Sequence, residues 1–159
     1  MVKALGCAVV ILAATLLGMG KYNALFERKR MLESICEGSV RIESIIRSVC
    51  ATLDECFVLG GEFYEKAAEK IRSGQLPSEA VVDVAASYRC LSEEDLYIIE
   101  NFAKGLGADD REGQLSNIRF FINSLEPALK NAREELEKRG KLYIKGSFLT
   151  ATAVVLLLI

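Results

Sequence analysis

Apolar residues fall along this chain in two arrangements: unbroken runs at the ends, and a repeat of every three or four residues between them. From Leu32, apolar side chains recur at Ile35, Ile42, Ile46, Val49, Leu53 and Cys56, with Ser39 as the one polar gap. Steps of three and four place one stripe along a helix, which predicts a long helix ending at Gly60-Gly61. A second helix is predicted over 62–73, with Phe63, Ala67 and Ile71 on one face and Gly74 as its stop. Leu76-Pro77 opens a third, through Ala80, Val81, Val84 and Tyr88, since proline suits a first helical position. Ser92 and Asp95 have the spacing of a capping box, flanked by Leu91 and Leu96 as a staple. The fourth helix then runs to Gly105 or Gly107, and Asp109 or Asp110 caps the fifth. The fifth carries the longest stripe, at Leu115, Ile118, Ile122, Leu125, Leu129, Ala132, Leu136 and Tyr143, with Arg139 filling the last skipped slot. Pro127 lies inside it and predicts a bend there or a break just before it, because proline lacks the backbone donor. No segment alternates with period two, so no sheet is expected.

The end runs change the picture from a plain bundle. Residues 4–20 are 17 uncharged positions between Lys3 and Lys21, about 26 Å of helix against a hydrocarbon core of about 30 Å. Residues 146–159 are 14 uncharged positions; counted from Leu142, with Lys145 snorkelling toward headgroups, the segment reaches 18 residues and about 27 Å. Two transmembrane helices, 4–20 and 142–159, are therefore expected, flanking a helical domain over 22–141. Lys21, Arg28, Lys29 and Arg30 follow the first run, and Lys138, Arg139, Lys141 and Lys145 precede the second. By the positive-inside rule the middle faces the cytoplasm and both termini the far side. Arg28, Lys29, Arg30, Lys141 and Lys145 are then candidates for contact with anionic headgroups.

Other readings of the ends compete. A cleaved signal peptide, with Gly18 and Gly20 as a small-x-small site, exports the middle and leaves the basic flank outside, against the rule. Ala4-Leu5-Gly6-Cys7 resembles a lipoprotein box but lacks a preceding apolar region. The last 14 residues also have the length of a buried core helix.

Composition narrows the chemistry. The 159 residues are 51% hydrophobic and 26% charged, with a mean hydropathy of +0.23, and contain no histidine. Without histidine, Ser-His or Cys-His nucleophile pairs and His-ligated metals are excluded. Cys7, Cys36, Cys50, Cys56 and Cys90 are odd in number and never spaced Cys-x-x-Cys, which suits reduced thiols acting as small hydrophobes better than zinc ligands. Glu93-Glu94-Asp95 and Asp109-Asp110 fall at predicted helix starts, where negative charge complements the helix dipole. Gly105-Leu106-Gly107 is a helix stop and no phosphate loop. Residues 22–140 hold 16 Lys and Arg against 22 Asp and Glu, net −6, which is no nucleic-acid footprint. No catalytic residue, cofactor or metal is expected.

The last third carries a recognisable run. Leu106-Gly107, then Asp110-Arg111, then Gln114 lead into a long helix that closes on Gly140-Lys141-Leu142-Tyr143-Ile144-Lys145-Gly146 before an aliphatic tail. With the apolar amino terminus and the helical middle, the layout resembles the stage III sporulation protein AB family. The resemblance implies a mother-cell membrane protein around the forespore of endospore-forming bacteria. It also implies similarity to the inner-membrane platform proteins of type II secretion and type IV pilus machines. By similarity the chain is a non-enzymatic platform or adaptor. Its partners are a hexameric ATPase, the AA protein of the same system, and other subunits of a channel between mother cell and forespore.

Gly107, Asp110, Arg111 and Gln114 then have two readings. The structural one is a rigid corner: Gly107 permits a left-handed turn, Asp110 caps the next helix, and Gln114 bonds back into the turn. The functional one is a docking surface for the ATPase. The alternative for the whole chain is a membrane sensor or regulator that oligomerises through the stripe over 115–136, a possible homo-oligomer without any ATPase.

Overall fold

The computed structural model describes residues 2–48, 53–107 and 110–158. Every regular element among them is helical: α1 (Val2–Ser48), α2 (Leu53–Val58), α3 (Glu62–Arg72), α4 (Pro77–Ser87), α5 (Glu93–Lys104), α6 (Arg111–Glu135), a π-helix (Leu136–Gly140) and α7 (Lys141–Leu158). The all-α expectation holds among these residues. They divide into two compact units, Arg30–Lys130 and Met1–Lys29 with Asn131–Ile159.

In the 30–130 unit, α2 to α5 pack on one another in chain order. Local chemistry sets each boundary. Gly61 starts α3 with φ +98. Behind α3, Gly74 (φ +98) donates to the carbonyl of Ile71 at 2.9 Å and Gln75 to that of Lys70 at 3.1 Å, a complete Schellman ending. Pro77 opens α4. Ser92 and Asp95 close the capping box that their spacing predicts: the Asp95 amide donates to Ser92 Oγ at 3.2 Å and the Ser92 amide to Asp95 Oδ2 at 2.9 Å. These bonds explain how Asp95 is fully buried.

Within this unit α1 and α6 run antiparallel, since Arg111 bonds Ile46 and Arg47 while Arg119 bonds Glu43. The core lies between them and the short helices. Leu32, Ile35 and Ile42 from α1, Phe57 from α2, Phe63 and Tyr64 from α3, and Phe121 and Leu125 from α6 are all essentially without solvent contact. The polar gap at Ser39 sits inside this core. Its hydroxyl donates to the Ile35 carbonyl at 2.8 Å and lies 2.6 Å from the buried Tyr64 hydroxyl. Close approach here needs glycine: a Cβ on Gly38 would sit 2.1 Å from the Gly60 carbonyl oxygen and 2.8 Å from the Tyr64 ring.

In the other unit, Tyr22 lies against Gly140, where a Cβ would come within 3.0 Å of its ring. Arg28 Nη1 meets Glu135 Oε2 at 2.9 Å, and Arg139 holds the other oxygen of Glu135 at 3.0 Å. Tyr22 with Gly140 and Arg28 with Glu135 set an antiparallel course for these two stretches as well.

The stripe from Leu32 to Cys56 predicts one helix; α1 is described to Ser48 and α2 from Leu53. The residues between them, Val49 and Cys50 included, lie outside the described ones. Of the two outcomes expected at Pro127, the break does not occur, and α6 continues through it. Pro127 and Asn123 are exposed, so the Asn123 carbonyl that proline deprives of a donor faces water. One expectation changes: Arg139 does not fill the skipped slot of the stripe. It is exposed and Gly140 is buried, because the π-helix adds one residue to the turn and moves the inward position on by one. Arg28, a candidate for headgroup contact, has its guanidinium largely buried against Glu135.

Among the described residues no helix is long and apolar enough to cross a membrane. Most of the aliphatic side chains at 2–11 and 154–159, on which that expectation rests, lie outside them. α1 passes through the expected boundary at residue 21 as one helix.

Candidate functional site

The run Gly107–Asp110–Arg111–Gln114 lies at the turn from α5 into α6. Gly107 has φ +79, a left-handed conformation that favours glycine. Asp110 precedes α6 and its Oδ1 accepts the Gly113 amide at 3.0 Å, an N-cap bond. Asp109, the other capping candidate, lies outside the described residues. Gln114 Nε2 donates to the Gly105 carbonyl at 3.1 Å. One turn further, Asn117 Nδ2 donates to the Phe102 carbonyl at 3.0 Å. These two amides serve carbonyls at the end of α5, that of Phe102 also accepting the Gly105 amide at 3.1 Å. The Phe102 and Phe121 rings stack across the same corner at 4.2 Å.

Arg111 reaches a different helix. Its Nε donates to the Ile46 carbonyl at 2.9 Å and its Nη2 to the Arg47 carbonyl, both in the last turn of α1. A guanidinium there adds donors to two carbonyls in the last described turn of α1, where the helix dipole favours positive charge. Arg111, Gln114 and Asn117 thus close the ends of α1 and α5 from one face of α6. The spacing of Gly107, Asp110 and Gln114 points to a corner, but nothing in the sequence points to the carbonyls of residues 46 and 47. Asn117 carries no motif and escapes sequence reasoning altogether.

Next to this corner, Glu43 accepts from Arg119 Nε at 2.8 Å and from Arg47. The Arg119 hydrogen bond, with Arg47 adding to it against the cost of burial, holds the Glu43 carboxyl below its ordinary range. This trio also went unseen in the sequence, where Glu43 and Arg119 are merely two charges on separate helices.

The remaining candidates are dispersed. Lys141 and Lys145 are exposed on α7, and Arg30 is exposed on α1. Lys29 is half-buried. Cys56 is buried, and that burial pushes its thiol up. Cys36 and Cys90 are half-buried, while the Cys7 side chain and Cys50 lie outside the described residues. No group of three or more metal-ligating side chains occurs among the described residues. At the corner, the side chains of Asp110, Arg111, Gln114 and Asn117 are bonded to backbone, so what they supply is a fixed turn that holds Asp110, Arg111 and Glu112 at the surface.

No curated protein and no solved structure matches the chain. A family model does: the one described as stage III sporulation protein AB matches residues 3–159. This helical chain therefore belongs to the stage III sporulation protein AB family.

Proposed function

We propose that this stage III sporulation protein is a membrane-anchored platform in a secretion-like channel between mother cell and forespore, with no catalytic role of its own. The observation that carries the reading is the family match across residues 3–159. The uncharged runs 4–20 and 146–159 and their basic flanks support anchoring of both ends in the mother-cell membrane, with 22–141 in the cytoplasm. The bundle offers a braced α5–α6 corner on which a hexameric cytoplasmic ATPase docks. Glu112 is exposed beside the bonded residues and is a natural contact.

A sensor that oligomerises through the 115–136 stripe is less well supported. Leu115, Ile118, Leu125 and Leu129 are buried in the chain's own fold.

The test is co-purification of the full chain from detergent-solubilised sporulating cells. The ATPase of the same system should be retained, and Glu112→Lys should weaken retention while leaving the helical circular dichroism unchanged. Protease added to intact cells should spare residues 22–140. Digestion from outside would overturn the topology, and a Glu112→Lys chain that still retains the ATPase fully would move the docking surface elsewhere.

A further inference from the structure

The outward face of α6 has an unusual composition. Its core stripe points inward, yet the opposite line, Ser116, Phe120, Asn123 and Pro127, is exposed and carries no charge. Phe120 is 68% exposed. These positions recur at steps of four, three and four, the spacing of a helix-pairing seam. Charge lies along one flank of the seam instead, at Glu112, Arg119, Glu126 and Lys130, all exposed and alternating in sign at every step.

We infer that α6 pairs with α6 of a second copy of this chain, antiparallel, about a two-fold axis near residues 122 and 123. The alternation dictates that register. In an antiparallel pair the same flank of each helix faces the other. With the axis there, Arg119 of one copy meets Glu126 of the second and Glu126 meets Arg119, while Glu112 comes within one turn of Lys130 of the second copy and Lys130 within one turn of its Glu112. All four contacts are between opposite charges. A parallel pair does not bring this flank against itself, so it leaves the alternation unused. The same register inserts each Phe120 between Asn123 and Pro127 of the second copy.

Pro127 fits this arrangement. Inside a helix it costs a hydrogen bond. On the seam it leaves the exposed Asn123 carbonyl as an acceptor, next to the Asn123 side-chain amide of the second copy. Arg119 binds Glu43 through Nε while its side chain stays half exposed. A helix pair of this length buries on the order of 1,000 Å² in total, the size of a weak, reversible interface.

The experiment uses the full chain in detergent micelles, with dimerisation followed by sedimentation over a concentration series. Glu126→Arg makes the flank wholly basic at the two central positions, and Arg119→Glu makes it wholly acidic. Each variant alone should dimerise about tenfold or more weakly than the unmodified chain, and an equimolar mixture of the two should recover dimerisation. A photo-crosslinking residue at the exposed position 123 should label residues 116–131 of a second copy. A mixture that associates no better than its components overturns the proposal, and so does an unmodified chain that stays monomeric at every concentration. A crosslink from position 123 to another protein, or elsewhere on the second copy, overturns it too. Because Arg119→Glu also removes the Glu43 contact, circular dichroism checks its fold. Should it fail to fold, the position 123 crosslink decides by the same criterion.

Discussion

Ser39 and Tyr64 form the most sharply testable contact in the 30–130 unit, because their two hydroxyls are not equivalent. Ser39 gives its proton to the Ile35 carbonyl at 2.8 Å, so in the 2.6 Å contact between the hydroxyls Tyr64 is the donor and Ser39 the acceptor. Burial holds the Tyr64 hydroxyl protonated far above its ordinary range, as a donor requires. Tyr64→Phe removes the donor and leaves Ser39 still bonded to Ile35, a loss of about 0.5–1.5 kcal/mol. Ser39→Ala removes the acceptor and leaves a fully buried hydroxyl without a partner, a penalty of about 1–3 kcal/mol on top of the lost bond. The helix preference of alanine over serine returns about 0.5 kcal/mol. Ser39→Ala is therefore expected to cost about 1–2 kcal/mol more than Tyr64→Phe, although it deletes the same number of heavy atoms. The double variant should be more stable than Ser39→Ala alone, since no stranded hydroxyl remains. Urea unfolding followed by far-ultraviolet circular dichroism, read as midpoint shifts at constant slope, measures all three. If Tyr64→Phe proves the costlier change, or the two losses simply add in the double variant, the donor assignment is wrong.

Other consequences follow from the same geometry. Arg111→Ala should destabilise by about 1–2 kcal/mol and raise hydrogen exchange at amides in the last turn of α1. Arg111→Lys should recover little, since an ammonium lacks the fork that reaches two carbonyls. Gly107→Ala places a side chain at φ +79 and should cost about 1 kcal/mol in the same unfolding assay. Glu43, whose carboxyl is held below its ordinary range in the folded chain, contributes stability that is complete above its unfolded value near 4.3 and lost as pH falls through the lower folded value. The stability gap between the unmodified chain and Glu43→Gln should thus stay constant from pH 7 to about pH 5 and close below about pH 4.

What the sequence makes legible here is local. The Ser92–Asp95 box, the Gly74 ending, Pro77 at the head of α4 and the Asp110 cap each involve residues within a few positions of one another, so spacing alone announces them. What it hides is long-range. Arg111 caps carbonyls 64 and 65 residues away, and Glu43 meets Arg119 across 76. No periodicity encodes such pairs, because a charged residue on a helix surface reads the same whether it faces water or the end of another helix. Ser39 shows the intermediate case. The stripe marks it as a gap, but only the Tyr64 hydroxyl, 25 positions on, turns the gap into part of the core.

The fifth stripe shows why even strong periodicity misplaces residues. Steps of three and four select Ile122, but Phe121, fully buried on Phe102, does more to fill the space between α5 and α6, while adjacent Phe120 points outward. A helical wheel spaced at about 100° per residue places neighbours such as 121 and 122 on opposite sides of one inward face, so side-chain size and the partner helix decide between them. Further on, the π-helix breaks the count. Continuing at the α-helical period would turn Arg139 inward, where its charge would lose water. One extra residue in the turn puts Gly140 there instead, against Tyr22, and leaves Arg139 exposed to share Glu135 with Arg28. The skipped slot in the stripe is thus the trace of that added residue. It is visible in the sequence as an irregularity, and it becomes intelligible once the buried position is seen to be a glycine that no hydrophobic count includes.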